Sequence, residues 1–324
     1  MQGIGAFCLF LERFKTKHCM VAFGIVGLHS WSNTLPALFA RQPLYDMAGL
    51  FDTDPQKSQL AAKSCRTIAF KDPTALFRFS EAVILDDSSQ NCFSLAREAL
   101  THFLHLFICN PSALTEEEMS RLLKISEESQ VLVRFGGSMV HHPVAALLAC
   151  RKTSPFFVEM HHTLCSTPGD AAGATLINLL TADLSLLLSL SGGMVCKAET
   201  SVPGGCKGGS GLECRLKIDN GSEIRILYAF NCGSPQQTVT VQHPGETIVA
   251  DFGSGTVTCG QVTETPEVNE TLLARKQLEA FAADIAHHES ELIDRDILMF
   301  FLAHALLKKA APWLKVNARI QSEV

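Results

Sequence analysis

The sequence predicts an α/β domain built on a parallel, doubly wound sheet, followed by an α+β domain whose sheet is open and mostly antiparallel. Three patterns predict it. Short apolar runs alternate with capped helical segments through the first half of the chain. Strand signals in the second half come as consecutive hairpins, one of them turning on Asp219-Asn220-Gly221-Ser222. A long apolar helical stretch, residues 172–190, stands between the two regimes. A βαβα rhythm lays strands in parallel, whereas hairpins build antiparallel sheets, and Asn-Gly is the strongest short hairpin signal.

The elements follow in order. Residues 21–26 are an apolar first strand running into a turn at Gly27, and a helix begins over 34–39. Residues 45–51 form a second strand that ends at Asp52, and Asp54-Pro55 opens the next helix with a cap and a first-turn proline. Residues 82–85 are a strand, 94–102 a helix and 104–108 a strand. Thr115-Glu116-Glu117-Glu118 caps a further helix with acidic side chains at its positive end. Residues 131–135 are the last strand of this series.

Past Cys150 the pattern changes. Residues 156–161 read as a strand, and 212–218 and 223–230 as the two arms of the Asn-Gly hairpin. Residues 238–242, 247–252 and 255–259 continue the series, and helices over 269–288 and 294–307 follow. Residues 197–210, with Gly204, Gly205, Gly208 and Gly209, are expected to form a flexible loop. The expected domains are 20–152 and 153–324. Residues 1–19 are expected to be an extension or to precede the true start at Met20.

Bulk properties exclude several function classes. With 324 residues the chain is long enough for two domains. Its 47% hydrophobic and 19% charged content is that of a globular protein rather than a disordered one. A net charge of −6 offers no basic field for nucleic acid. The apolar stretch over 3–11 is too short for a membrane span and carries its basic residues on the wrong side for a secretory signal. The 12 cysteines lie singly, with no C-x-x-C pair or zinc-like spacing, which suits reduced thiols in a cytoplasmic protein and no metal.

The organisation resembles the glucose–fructose oxidoreductase/inositol dehydrogenase (Gfo/Idh/MocA) family from Met20 to the end. The stretches that carry the resemblance to its UDP-N-acetylglucosamine 3-dehydrogenase-like branch are Phe156-Phe157-Val158-Glu159-Met160-His161, Asn178-Leu179-Leu180-Thr181-Ala182-Asp183-Leu184-Ser185 and the hairpin over 212–229. The resemblance implies a Rossmann NAD(P)-binding domain and a second domain that commonly assembles through its open sheet. It implies oxidation of a sugar hydroxyl by hydride transfer, and partners such as a sugar or sugar-nucleotide ligand. Assembly would be a homo-oligomer, or a hetero-oligomer with an active paralogue.

Set against that pattern, the motif residues are unusual. A dinucleotide-binding turn needs glycines for its tight bend and for close backbone approach to pyrophosphate. Gly24 and Gly27 are present, but His29 and Ser32 stand at the second and third fingerprint positions. Asp52 suits the ribose hydroxyls and favours NAD over NADP, or it belongs only to a turn before the Asp54 cap. Asp86-Asp87-Ser88-Ser89 follows the third strand, where the family has a threonine-proline turn near the cofactor. Two carboxylates there oppose an anionic cofactor, and a solvated turn is the plainer alternative.

The family's catalytic lysine falls at Asn110, and its Asp…His…Asp set falls at Asn178, Ala182 and Ser185. Asparagine can hydrogen-bond a hydroxyl but cannot act as a base. His141 or His142 could supply a displaced base, or both could simply open a surface helix. His161 matches the branch beside the substrate cleft. The chain is therefore expected to be a degenerate oxidoreductase homologue acting by binding or assembly. A rearranged NAD-dependent enzyme and a ligand-free oligomerisation partner are the alternatives.

Overall fold

The computed structural model describes residues 20–29, 33–86, 91–137, 139–150, 154–165, 172–203, 211–230, 232–287 and 291–314. Ser32, Asp87 and Ser88 lie outside them, as do residues 1–19 and 204–210. The chain divides into two compact units, Met1–Gly136 with Ala274–Ile293, and Gly137–Leu273 with Asp294–Val324.

The first unit holds strands β1 (Val21–Val26), β2 (Tyr45–Phe51), β3 (Ala82–Leu85), β4 (His105–Ile108) and β5 (Val133–Phe135). They form one sheet in the order β2-β1-β3-β4-β5, and every neighbouring pair is parallel. The order reverses between β1 and β3. In open α/β sheets the crevice for a ligand lies there, beyond the carboxyl ends of the strands.

Between the strands run α1 (Leu35–Leu38), α2 (Pro55–Cys65), α3 (Pro73–Phe77), α4 (Cys92–Thr101) and α5 (Glu116–Ser129). The caps are those the sequence announces. The Asp54 carboxylate accepts from the Gln56 and Lys57 amides, and Thr115 and Glu118 close a reciprocal capping box. Helix α3 is an addition to the expected series. Asp72 caps it by accepting from the Ala75 amide at 2.8 Å, and Pro73 suits its first turn.

A helix from late in the chain completes this unit. Helix α8 (Glu270–His287) sends Leu278, Phe281 and Ala282 into the core formed by Phe23, Tyr45 and Phe107. The Phe23 and Phe281 rings stack with centroids 5.9 Å apart. Arg134 of β5 pairs with Asp284 of α8, and both side chains are buried. Buried charges of this kind persist only when they are paired.

The second unit carries an eight-stranded sheet in the order β13-β12-β11-β10-β6-β9-β8-β7. Its strands are β6 (Phe157–Thr163), β7 (Val195–Ser201), β8 (Gly211–Ile218), β9 (Glu223–Ala229), β10 (Gln236–His243), β11 (Glu246–Asp251), β12 (Thr256–Cys259) and β13 (Val262–Glu264). Only β6 and β9 run parallel; the other pairings are antiparallel. Helices α6 (Pro143–Ala149), α7 (Ala172–Ser191) and α9 (Glu291–Leu314) accompany it.

Alternation sorts the two faces of this sheet. Val158, Met160, Cys214, Leu216, Ile224, Ile226, Val239 and Val241 are buried on one face. Glu159, Arg215 and Arg225 occupy the other, where Arg225 bridges Glu159 and Glu213. Burial works against ionisation of Glu213, yet bonds from Arg215, Ser201 and Arg225 hold its carboxyl down at about 2.

Part of the expected loop over 197–210 is strand. Lys197, Glu199 and Thr200 stand opposite Lys217, Arg215 and Cys214 across the β7–β8 ladder. The alternation over 195–201 is short, and the glycine-rich residues after it dominate the local composition. Among the described residues, no helix is long and apolar enough to cross a membrane, and no group of metal-ligating side chains assembles.

Candidate functional site

A cleft of about 300 Å³ opens at the carboxyl edge of the first sheet, lined by Gly27, His29, Asp52, Lys57, Asp86 and Asn91 among others. The topology explains why these residues meet. Gly27 and His29 follow β1, Asp52 follows β2, and Asp86 follows β3. The Gly27 amide donates to the Phe51 carbonyl at 2.8 Å, which ties the turn to the neighbouring strand. Gly27 has φ +86°, a left-handed conformation that favours glycine.

Asp52 is fixed by its own turn, its Oδ1 accepting from the Asp54 amide at 2.7 Å. That bond sets the carboxylate at the cleft wall. Thr53 and Lys57 also line the cleft, and Lys57 lies in the first turn of α2. Asp86 is nearly fully buried, and its amide donates to the Val26 carbonyl at 2.8 Å.

Gly24 lies elsewhere. It sits inside β1, where an added Cβ would meet Ser80 Oγ at 2.4 Å and Leu76 Cγ at 3.1 Å. Its glycine serves packing beneath the strand, and it does not line the cleft.

These residues fit a dinucleotide unevenly. Asp52, Thr53 and Lys57 supply an acceptor, a hydroxyl and a cation, which suits a ribose and its phosphate. The turn offers one glycine conformation, at Gly27, while His29 carries a Cβ where backbone should approach pyrophosphate. The first described helix after β1 is α1, which has four residues and no side-chain cap from Thr34. A helix that short provides little of the positive end on which a pyrophosphate rests.

At the end of β4, Asn110 leads into a single 3-10 turn, Pro111–Ala113. Its Oδ1 accepts from the Ser112 hydroxyl at 2.9 Å. Burial pushes the preceding Cys109 thiol well above its ordinary range, and the charges of Asp86 and Cys92 push the same way. Cys109 is therefore a neutral thiol rather than a nucleophile.

The histidine pair separates. His141 ends a 3-10 turn and is half-buried. His142 is buried and caps α6, its Nδ1 accepting from the Val144 amide at 3.2 Å. Its ring packs on Phe252 with centroids 4.9 Å apart, and burial lowers its pKa. A ring held in this way anchors a helix.

On α7, Asn178 and Ala182 share a half-exposed face, one turn apart, while Ser185 is fully buried. His161 is not brought to them. It lies on the outer face of β6, with Nε2 3.4 Å from Glu159 Oε2. Its neighbour His162 points the opposite way, toward α7.

That inner side holds a polar cluster the motif positions did not reveal. Asp183 is 1% exposed and takes three bonds. Tyr228 Oη donates to Asp183 Oδ2 at 2.6 Å. Gln237 Nε2 donates to Oδ1 at 2.9 Å, and His162 Nδ1 lies 3.3 Å from Oδ2. The Tyr228 and His162 rings stack 5.5 Å apart. Burial raises the Tyr228 phenol well above its ordinary value, and the Asp183 charge adds to that. The available signal was an aspartate in a nearly all-apolar helix, which needs partners to be buried.

Comparison with known proteins gives three results. Residues 21–136 match the Gfo/Idh/MocA family model, described as an oxidoreductase family with an NAD-binding Rossmann fold. Among the curated proteins, none matches by sequence. Solved structures share the fold across nearly the whole chain. UDP-N-acetylglucosamine 3-dehydrogenase GnnA from Acidithiobacillus ferrooxidans is 19% identical, with 94% of this chain and 100% of that chain covered and a TM-score of 0.75. GenD2 from gentamicin A biosynthesis, solved with NAD, is 14% identical, covers 90% and 94%, and has a TM-score of 0.71. Biliverdin reductase from Synechocystis sp. PCC 6803, solved with biliverdin and NADP+, is 15% identical, covers 91% and 99%, and has a TM-score of 0.68. At these identities the structural likeness establishes the fold. Both the Rossmann sheet and the second, mostly antiparallel sheet agree with the resemblance read from the sequence.

Proposed function

We propose that this chain, whose residues 21–136 belong to the Gfo/Idh/MocA oxidoreductase family, keeps a nucleotide cleft and has lost hydride-transfer chemistry. The observation that carries this is the chemistry at Asn110 and Ala182, which fall where the resemblance expects a lysine and a histidine. Neither side chain can take a proton. Bound NAD would supply a hydride acceptor. The protein's own part in oxidising a sugar hydroxyl is to remove the hydroxyl proton, and losing a positioned base costs about 10²–10⁴ in rate.

The other candidate groups do not make up the loss. The Asn110 carboxamide can orient a hydroxyl, but its oxygen already accepts from Ser112. Cys109 is held neutral by burial, and His142 spends its Nδ1 on the α6 cap. Asp52 supports NAD over NADP, since its carboxylate would oppose a 2′-phosphate. Function by binding, or by assembly with a second copy or an active paralogue through the open sheet, follows from the same reading.

The test is a pair of measurements on the full chain. Fluorescence titration with NADH should show saturable binding, and thermal stability should rise with ligand because only the native state binds it. Turnover of NAD with UDP-N-acetylglucosamine should be absent. Robust turnover abolished by His141→Ala would overturn the reading in favour of a working dehydrogenase.

A further inference from the structure

We propose that Cys165 and Cys232 form a thiol–disulfide exchange site where β6 and β9 end side by side, reactive toward a low-molecular-weight disulfide such as oxidised glutathione. The site belongs to the second unit and does not depend on nucleotide binding.

The backbone sets the two cysteines together. Thr163 pairs with Ala229 in the parallel β6–β9 ladder, and the Leu164 amide donates to the Ala229 carbonyl at 2.8 Å. The ladder then takes in an extra residue on the β9 side, and the Cys232 amide donates to the Leu164 carbonyl at 3.0 Å. In a parallel ladder the residue after an accepting carbonyl stands beside the donor. Cys165 therefore stands beside Cys232, at about the 4.8 Å spacing of neighbouring strands. Disulfides span Cα separations of about 4.4–6.8 Å. A second tie fixes the same crossing: Thr163 Oγ1 donates to the Ser234 carbonyl at 2.8 Å. Together the two bonds hold the connection from β9 to β10 across the end of β6, which lies between those strands in the sheet.

The side chains suit exchange. Alternation through Glu159, His161 and Thr163 continues to Cys165 on the outer side of the sheet, and Cys165 is exposed. Cys232 is half-buried, and both thiols are free. The Cys232 sulfur contacts only its own strand end, at 3.8 Å from the Phe230 carbonyl. Sulfur is a weak donor, so this contact yields at little cost.

Exchange runs in two steps. The accessible Cys165 thiolate attacks one sulfur of the small disulfide, forms a mixed disulfide and releases one thiol. The Cys232 thiolate then attacks the Cys165 sulfur and releases the second. The protein loses two electrons and two protons, and the small disulfide becomes two thiols. The bridge closes the chain from α7 to β9 into a covalent loop, which restricts the unfolded chain.

Peptide mapping by mass spectrometry of the full chain, treated with oxidised glutathione, tests this. Cys165 and Cys232 peptides should appear joined, with the mass of two hydrogens lost. The unfolding temperature should rise by several degrees over reduced protein, and dithiothreitol should reverse it. Cys232→Ser should stop at the first step and hold a glutathionyl group on Cys165. Cys150→Ser and Cys196→Ser remove exposed thiols at the end of α6 and on the edge strand β7, and should leave the bridge unchanged. Glutathione retained on Cys165 as fully in the unaltered protein as in Cys232→Ser would overturn the proposal. So would Cys165 bridged to a cysteine other than Cys232, or a thiol pair that remains reduced throughout.

Discussion

Nδ1 of His142 accepts a hydrogen bond from the Val144 amide at 3.2 Å, so one of the two histidines that the sequence offered as a replacement base is the N-cap of α6. Capping side chains contribute about 1 kcal/mol, within a range of 0.5–2. His142→Ala should lower stability by about that amount plus the lost packing on Phe252. His142→Asn should recover the cap. Thermal unfolding of both variants checks this, and nucleotide affinity should be the same in each.

The same residue sets a pH dependence. Burial lowers the folded pKa of His142, so between that value and the unfolded value of about 6.5 the unfolded chain binds more protons. Its contribution is fully present above about pH 6.5 and is lost as pH falls through the folded value. Urea unfolding from pH 7.5 down to 5 should show a fall in stability that His142→Asn reduces. An unchanged slope in the variant would contradict the assignment.

The Asp183 cluster fastens α7 to its sheet. Tyr228→Phe removes a 2.6 Å bond to a buried carboxylate, and hydrogen bonds to charged groups are worth about 1.5–3 kcal/mol. Asp183→Ala should cost more, because Tyr228, His162 and Gln237 all lose their shared acceptor. A double-mutant cycle with Tyr228→Phe should show coupling of at least about 0.5 kcal/mol. Additive losses would mean that the two groups act separately.

Arg134 and Asp284 join β5 to α8 as a buried ion pair. Asp284→Ala leaves the guanidinium buried without its carboxylate, and breaking a buried pair in this way costs about 3–5 kcal/mol. Replacing both partners with apolar residues, Arg134→Met with Asp284→Leu, should cost distinctly less. Chemical denaturation of the two variants decides it. Equal losses in the single and double variants would contradict a paired-charge origin.

Gly24→Ala tests the packing role of a fingerprint-like glycine. The new methyl meets Ser80 Oγ at 2.4 Å, and overpacking costs about 1–3 kcal/mol. Adding Ser80→Ala should restore part of it. NADH affinity should stay the same in all three proteins, because Gly24 does not line the cleft. A selective loss of affinity would return Gly24 to the nucleotide site.

Much of the fold was visible in local pattern. The alternating strands, the Asp54 and Thr115 caps and the Asn-Gly hairpin are each written in a few adjacent residues, and local chemistry dictates them. What stayed hidden is non-local. The pattern of α8 shows a helix but cannot say that Phe281 packs on Phe23 in the first unit. β7 stayed hidden because the glycines after Pro203 masked its short alternation. In the site, Asp52 could be located because it ends a strand. Lys57 could not be singled out, since a lysine one turn into a helix is ordinary until topology sets it beside the cleft. His161 and His162 show the same limit. They differ by one residue, and strand geometry sends one to the outer face and the other to Asp183.

The most direct measurement is a hydride-transfer assay on the full chain with NAD and UDP-N-acetylglucosamine, following NADH formation with both at saturating concentration. The expected rate is indistinguishable from the protein-free control, in protein whose fluorescence titration with NADH saturates. Turnover near the ~10 s⁻¹ median of working enzymes would contradict it, and would mean that the proton leaves through a group other than Asn110, Ala182 or His142.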